Sequence, residues 1–247
     1  MSNSEFSFKE IDQSGLETLN AVSAADKFNQ WMYETIKPFL KGEILEIGSG
    51  IGNITQCVIA DNFMVTASDI RENYCFILRN RFDENPLLKE VRNIDIVHPD
   101  FDELYKDLFE KFDSIFALNI VEHVENDMLA IQNCKKLLKS GGNLIILVPA
   151  YQFLYNHFDK ELEHYRRYTA ATLTKLFNNS GLIIRKSMYF NFVGMAGWFV
   201  TGSILRKKII PEGQMKLYNT LVPVFRIVDK VCLNKIGLSV ICFGTKK

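Results

Sequence analysis

A short apolar run at residues 43–47 leads directly into a loop that carries glycine at every second position, Gly48, Gly50 and Gly52. Glycine lets the backbone turn sharply and lets a ligand approach where a Cβ would clash. A helical pattern begins at Ile54, so the loop precedes a helix N-terminus whose unpaired N–H groups suit a carboxylate or phosphate. This arrangement predicts a strand–loop–helix unit that binds a nucleoside-type cofactor.

Elsewhere the chain alternates short apolar runs with amphipathic helical patterns, which is typical of a Rossmann-like α/β domain with helices on both faces of its sheet. We predict strands at residues 43–47, 63–68, 91–96, 112–118, 143–148, 182–190 and 238–243. We predict helices at residues 25–40, 54–60, 72–82, 101–110, 127–138, 170–179 and 217–231, with Gly141 and Gly142 stopping the fifth of them.

Three acidic residues accompany the glycine loop. Glu46 lies two positions before Gly48, where it can accept from an ammonium group. Asp69 ends the second predicted strand, a position that reaches a ribose hydroxyl pair in such a crevice, and Asp95 ends the third, within reach of an adenine amine. The third glycine comes one residue too early for the dinucleotide pattern G-x-G-x-x-G, which disfavours a nicotinamide dehydrogenase.

Together these segments resemble the class I S-adenosylmethionine-dependent methyltransferases. The matching pieces are residues 44–52, 66–70, Asp95, 112–124 and 137–146, within a resemblance that covers roughly residues 25–190 and 238–245. Residues 148–150, 164–169 and Asn191 further resemble a bacterial subgroup called type 11 or type 12 methyltransferase-like proteins.

The resemblance implies a seven-stranded sheet with an antiparallel last strand, and S-adenosylmethionine as cofactor with S-adenosylhomocysteine as product. By matching position, Gly48 and Gly50 would approach the methionine part of the cofactor, and Asp69 would bind its ribose. Asp95 and Ile96 would flank the adenine, and Asn119 would lie near the sulfonium. The predicted cofactor-binding residues are Glu46, Gly48, Ser49, Gly50, Asp69, Ile70, Asp95, Ile96 and Asn119.

Methyl transfer from a sulfonium is an in-line displacement that depends mainly on holding nucleophile and methyl group in line. His123, beside the end of the fourth predicted strand, is the candidate general base. The structural alternative is a histidine that starts a helix and bonds to backbone.

A block of aromatic and basic residues after the fifth strand is predicted to lie over the methyl end of the crevice. Its candidate acceptor-binding residues are Tyr151, Tyr155, His164, Arg166, Arg167 and Tyr168. The arginines could clamp a carboxylate or phosphate, or could instead form salt bridges with Asp159 and Glu163 that tie down a lid. His157, Asp159, Glu163 and His164 lack zinc-ligand spacing, so we predict no metal site.

One domain over residues 1–247 is predicted, with a helical lead-in (1–41), a cofactor-binding core (42–190), an apolar helical insertion (191–236) and a terminal strand (237–247). The insertion is interpreted as a lid over the acceptor. Alternatively, residues 192–208, which end in Arg206-Lys207-Lys208, could contact a membrane surface. Leu221, Val224, Phe225 and Val228, at helical spacing, permit a homodimer contact.

The formal charge of the chain is zero, which disfavours a nucleic-acid substrate. Five scattered cysteines without a C-x-x-C pair, and no signal peptide, favour a cytoplasmic protein with reduced thiols. The resulting prediction is methyl transfer to a small molecule, lipid-like or anionic, with the acceptor atom left open. Methylation of a peptide or protein terminus and non-catalytic cofactor binding remain the alternatives.

Overall fold

The computed structural model describes residues 13–205 and 212–247, in which seven strands form one sheet of order β3-β2-β1-β4-β5-β7-β6. The strands are β1 (Ile44–Ile47), β2 (Val65–Asp69), β3 (Leu88–Asn93), β4 (Phe112–Leu118), β5 (Leu138–Pro149), β6 (Leu182–Phe190) and β7 (Ser239–Lys246). Strands β1 to β5 are parallel, and β7 lies antiparallel between β5 and β6. The predicted fold class is confirmed.

Ten α-helices of the described ranges surround this sheet. They are α1 (Gln13–Ser23), α2 (Asp26–Ile36), α3 (Asn53–Ala60), α4 (Glu72–Arg81), α5 (Phe101–Leu104), α6 (Asp127–Leu137), α7 (His157–Glu161), α8 (Ala170–Asn179), α9 (Phe192–Trp198) and α10 (Glu212–Val231). Short 3₁₀ helices lie at Lys37–Phe39, Lys106–Leu108, Val121–His123 and Gln152–Leu154, and a π-helix at Phe199–Ile204.

Each face of the sheet carries its own hydrophobic core, because successive strand residues point to opposite sides. In β4, Ile115 and Ala117 pack with residues of α5, α6 and α8, whereas Phe116 packs with residues of α2, α3 and α10. Strand β1 lies at the centre and is buried along its whole length. The carboxyl ends of β1, β2 and β4 therefore meet at one edge that the helices leave open.

Several strand boundaries differ from the prediction, and two of the differences change the place of residues discussed above. Strand β3 ends at Asn93, not at residue 96, so Asp95 lies in the loop beyond it and accepts from the Val97 backbone N–H at 2.9 Å. Strand β5 begins at Leu138, not at residue 143, and its pairing with β4 shifts register before Asn143. Gly141 and Gly142 therefore lie inside an irregular strand and do not stop a helix.

Helix α1 was not predicted, although Leu16, Leu19 and Val22 have helical spacing. The Leu19 side chain packs over Gly50, where an added Cβ would lie 3.0 Å from its Cδ1. The Leu19 carbonyl accepts from Asn53 Nδ2 at 3.2 Å. Helix α1 therefore covers the glycine loop from outside the sheet.

The predicted insertion packs against the lead-in helix α2. Tyr218 of α10 meets Phe28 edge to face with ring centroids 5.7 Å apart, and Asn219 Oδ1 accepts from the Phe28 N–H at 3.1 Å. Leu221 and Val224, predicted for a homodimer contact, are exposed residues of α10. That contact and the membrane contact of residues 192–208 stay predictions, and Arg206-Lys207-Lys208 lies outside the described residues.

A buried carboxylate joins the insertion to the end of β6. Asp229 Oδ2 accepts from the Asn191 N–H at 2.6 Å, and Oδ1 accepts from the Phe192 N–H at 2.8 Å. Asn191 itself adopts the left-handed conformation (φ 67°) and its side chain caps α9. Asp229 therefore fixes the angle at which the chain leaves the sheet. Within the two described ranges, no helix combines the length and the hydropathy needed to cross a membrane.

We expect Asp229→Ala to lower the free energy of unfolding by about 2 kcal/mol, because two buried backbone N–H groups lose a charged acceptor. Urea denaturation followed by circular dichroism measures the change. Thr220→Ala, at an exposed position of the same helix, is the matched control and should stay within about 0.5 kcal/mol of the parent. An Asp229→Ala midpoint equal to that of the control would contradict the anchoring role.

Candidate functional site

A cavity of about 970 Å³ opens at the carboxyl ends of β1, β2 and β4. All nine residues predicted to bind the cofactor line it. Side chains from α1, α2, the loop after α7 and the insertion close its other sides. The geometry therefore brings together residues that are spread over the chain from Leu19 to Ser239.

The glycine loop needs glycine for both conformation and space. Gly48, Gly50 and Gly52 have φ values of 73°, 54° and 85°, in the left-handed region. A Cβ on Gly48 would lie 2.1 Å from Cδ1 of Ile120, so this position has no room for a side chain. The absence of side chains on these glycines therefore lets Leu19 and Ile120 pack directly against the backbone of the loop, which lines the cavity.

Asp69 holds this loop to the end of β2. Its Oδ2 accepts from the Gly50 N–H at 2.9 Å, and its Oδ1 accepts from the Arg71 N–H at 3.0 Å. Burial raises the pKa of the Asp69 carboxyl, and the two backbone hydrogen bonds act against that shift. The Asp69 carboxylate therefore holds the glycine loop in place and also offers a hydrogen-bond acceptor to the cavity.

Glu46 lies at the floor of the cavity and is only 4% exposed. Its carboxylate accepts a hydrogen bond from the Thr55 hydroxyl. Burial raises the pKa of Glu46 to about 7, although hydrogen bonds from Thr55 and Ser49 act in the opposite direction. A cationic group beside this carboxylate would restore its charged form.

Asn119 follows β4 with φ 57°, a left-handed conformation that is uncommon outside glycine. Its N–H donates to the Leu147 carbonyl at 2.8 Å, which ties this strained position to β5. The side chain lines the cavity next to the glycine loop. Such strain is often found at binding sites, where the surrounding structure holds it.

Two histidines meet in the lining of the cavity. The rings of His123 and His164 lie edge to face with centroids 4.6 Å apart. His164 Nδ1 lies 2.8 Å from Oδ1 of Asp159, and Asp159 also accepts from Arg167 Nε at 2.8 Å. Because a carboxylate only accepts, Nδ1 of His164 carries a proton.

Glu122, which no sequence pattern singled out, lies beside this pair. Its side chain is fully buried, and neither carboxylate oxygen has a hydrogen-bond partner. Burial raises the pKa of Glu122 to about 8. Its position directly before His123, at the end of a central strand, was the only signal for it in the sequence.

Comparison with known proteins identifies the family of this fold and site. A family profile described as a methyltransferase domain matches residues 45–144, the segment that carries the glycine loop, Asp69 and Asn119. Residues 45–144 are therefore similar to a methyltransferase domain, and the sheet order with its antiparallel β7 is that of the class I S-adenosylmethionine-dependent methyltransferase fold. The predicted resemblance is thereby confirmed, and the methyl donor of this family is S-adenosylmethionine.

Individual relatives cover parts of this methyltransferase chain. The ubiquinone biosynthesis O-methyltransferase of Coxiella burnetii is 31% identical over 106 residues, which are 42% of this chain and 43% of the relative. The chain thus matches less than half the length of that curated protein.

Solved structures share the fold at low identity. A putative methyltransferase from Bacillus halodurans has a TM-score of 0.57 at 17% identity and covers 88% of this chain and 98% of its own. Phosphoethanolamine N-methyltransferase 2 of Haemonchus contortus, in complex with S-adenosyl-L-methionine, has a TM-score of 0.57 at 16% identity. It covers 87% of this chain and 52% of its own.

Of the six residues predicted to bind the acceptor, His164 and Arg167 line the cavity. Arg167 is buried and pairs with Asp159. Its Nη1 donates to the Ala150 carbonyl at 3.0 Å, and its Cζ lies 4.8 Å from the centroid of the Trp198 ring. The pairing of Arg167 with Asp159 corresponds to the predicted alternative, in which an arginine forms a salt bridge that holds the segment after β5 in place. With its charge already matched, Arg167 is poorly placed to clamp an anionic acceptor.

The other four predicted acceptor residues lie outside the cavity lining. Tyr151 stacks on Tyr189 with centroids 4.9 Å apart, and the Tyr155 hydroxyl donates to the His164 carbonyl at 2.8 Å. The side chains of Arg166 and Tyr168 both donate to Asp127 Oδ2, at 3.1 Å and 2.9 Å. These four contacts hold the segment after β5 in place. None of the four side chains is positioned to bind an acceptor in the cavity.

His123, the predicted general base, lies at the cavity as expected, but its surroundings do not suit that role. Although the ring faces the cavity, desolvation lowers its pKa to about 3, and the neighbouring His164 and Arg71 act in the same direction. The imidazole is therefore neutral near pH 7, yet it would hold a proton taken from an acceptor only weakly.

The insertion forms a wall of the cavity. Trp198 and Thr201, and on α10 Gln214, Met215 and Tyr218, all line it. Gln214 Nε2 donates to the Thr201 hydroxyl at 2.8 Å and so joins the two parts of the insertion. That the insertion acts as a lid over the acceptor stays a prediction.

Proposed function

We propose that this chain transfers a methyl group from S-adenosylmethionine to a small-molecule acceptor. The observation that carries the proposal is one continuous cavity that is lined both by the glycine loop and by the histidine pair. Its volume of about 970 Å³ is near the upper end of small-molecule sites, about 300–1,000 Å³, which suits two molecules bound together.

The cofactor is assigned by the chemistry of the lining. The raised pKa of Glu46 favours a cationic partner, which the ammonium group of the methionine part supplies. Asp69 can accept from the ribose hydroxyls while it braces the loop. Asp95 and Ile96, beyond β3, lie where an adenine with its exocyclic amine would be held. Asn119 then lies near the sulfonium.

We further propose that the acceptor is largely apolar and reacts through a hydroxyl oxygen. Phe158, Trp198, Met215 and Tyr218 give its side of the cavity an apolar character. Arg167, one of the cations that line the cavity, is already paired with Asp159 and so is poorly placed to clamp an anionic acceptor. The name of the Coxiella burnetii relative, an O-methyltransferase of ubiquinone biosynthesis, supports oxygen as the acceptor atom.

The chain's contribution to the reaction would be to hold the acceptor oxygen in line with the methyl–sulfur bond. Such positioning can supply up to about 7–11 kcal/mol of the barrier reduction. The leaving sulfur becomes a neutral thioether, so it needs no protonation. The insertion would exclude water from the reacting atoms, which strengthens the polar interactions inside the cavity.

Transfer of a radiolabelled methyl group tests the proposal. Paired aromatic acceptors that differ only in a hydroxyl or an amine at one position are incubated with the protein and labelled S-adenosylmethionine. We expect label on the hydroxyl member of each pair and none on the amine. Label on the amine alone would contradict the choice of oxygen, and label on added peptides alone would indicate the terminus-methylating alternative.

A further inference from the structure

Three possible metal ligands from two separate segments meet at the acceptor side of the cavity. One donor atom each from Glu122, His123 and His164 lies within 4.8 Å of the others. Glu122 and His123 follow β4, whereas His164 follows α7. The Tyr165 N–H donates to the Glu122 carbonyl at 2.8 Å and so holds the two segments together.

The carboxylate of Glu122 is the observation that a structural role leaves unexplained. It is fully buried, and neither oxygen has a hydrogen-bond partner. A buried carboxylate without a partner is costly, and such groups are normally paired or coordinate a metal. Arg167, the nearby cation, is already bound to Asp159, the Ala150 carbonyl and the Trp198 ring.

The two histidines are held in position next to each other. Asp159 holds Nδ1 of His164, which leaves Nε2 as the nitrogen that could coordinate, as in the carboxylate–histidine–metal arrangement. The ring of His123 lies edge to face with the ring of His164, with centroids 4.6 Å apart, and both rings line the same cavity. Two imidazoles and one carboxylate form a set known from catalytic zinc and non-haem iron sites with open positions.

We propose that Glu122, His123 and His164 bind one divalent transition-metal cation, such as Zn²⁺, with an open position toward the acceptor. Ligand atoms bound at about 2.0–2.2 Å from one ion lie roughly 3–4 Å apart, so small side-chain rotations complete the site. Imidazole ligands select zinc, cobalt or iron over magnesium, which prefers oxygen ligands.

The role of this cation rests on the proposed function, whereas its binding does not. An acceptor hydroxyl on the open position loses its proton to solvent more readily, since the cation stabilises the oxyanion. That oxygen then forms its bond to the methyl carbon as the carbon–sulfur bond breaks. The electron pair of that bond stays on sulfur, giving methyl ether, S-adenosylhomocysteine and one proton.

Metal titration of the full chain, after treatment with a chelator and dialysis, tests the site directly. Calorimetry with Zn²⁺ and visible absorption with Co²⁺ should both give one ion per chain. Mg²⁺ should bind at least tenfold more weakly. Glu122→Gln should weaken Zn²⁺ binding at least thirtyfold, because it removes the charged ligand. His157→Ala, which removes a partly exposed histidine of α7 outside the cluster, should bind as the parent does.

Thermal melting shows that the variants fold. Without metal, Glu122→Gln should melt at or above the parent temperature, since glutamine replaces an unpaired buried carboxylate. At a hundredfold excess of Zn²⁺ over its Kd, the melting temperature of the parent and of His157→Ala should rise by about 5 °C, and that of Glu122→Gln by less than about 1 °C.

Three outcomes would overturn the metal site. The parent could fail to bind Zn²⁺ and Co²⁺ at millimolar metal, Glu122→Gln could bind Zn²⁺ as tightly as the parent, or the parent could bind Mg²⁺ as tightly as Zn²⁺. Failure of S-adenosylhomocysteine to bind, measured separately, would overturn the proposed function and leave the metal site standing.

Discussion

Asp69→Ala is expected to weaken the binding of S-adenosylhomocysteine about a hundredfold. The carboxylate is proposed to accept from the ribose hydroxyls, and it also accepts from the Gly50 and Arg71 N–H groups. Hydrogen bonds to a charged group contribute about 1.5–3 kcal/mol each, and a hundredfold change corresponds to about 2.8 kcal/mol. Isothermal calorimetry at pH 7.5 measures the change.

Two further variants separate the ribose contact from a general loss of charge. Asp69→Asn keeps an acceptor for Gly50 and should lose less affinity than Asp69→Ala. Asp83→Ala removes an exposed acid just after α4 and should stay within about twofold of the parent. Affinity of Asp69→Ala within threefold of the parent would remove Asp69 from the ribose role.

The second large effect is a dependence of cofactor affinity on pH. Glu46 has a pKa of about 7 in the cofactor-free protein because it is buried. Binding of an ammonium group requires its charged form and lowers this pKa further. Affinity should therefore be full above pH 7 and fall about tenfold per pH unit below it, so that it is about a hundredfold weaker at pH 5.

Glu46→Gln isolates this titration from those of the other acidic groups in the cavity. The variant should bind S-adenosylhomocysteine more weakly at pH 8, with an affinity that changes less than about threefold between pH 8 and pH 5. A parent affinity that is flat over the same range would show that Glu46 does not meet the ammonium group. Calorimetry in buffers of different ionisation enthalpy should also detect proton release on binding at pH 6.5.

The cofactor side of the cavity could be predicted from the sequence because its determinants are local. The glycine spacing, and the position of Asp69 at the end of a strand, are visible in single segments. Parallel strands place their carboxyl ends at one edge, so separate predictions for each segment converge in space. All nine predicted residues accordingly line the same cavity, even though β3 ends before Asp95.

The acceptor side could not be predicted in the same way, because it depends on contacts between distant segments. Whether Arg167 faces a ligand or Asp159 is decided by the buried position of the loop after α7. Glu122 is buried without a partner only because that loop closes over the end of β4. The apolar residues of helix α1 have helical spacing in the sequence. That this helix lies at the site, however, is seen only from the packing of Leu19 against Gly50.

Calorimetric titration of the parent protein with S-adenosylhomocysteine, and separately with NADH, tests the central claim most directly. The account predicts one S-adenosylhomocysteine per chain and no NADH binding at 1 mM, a concentration that corresponds to about −4 kcal/mol. NADH binding without S-adenosylhomocysteine binding would contradict it.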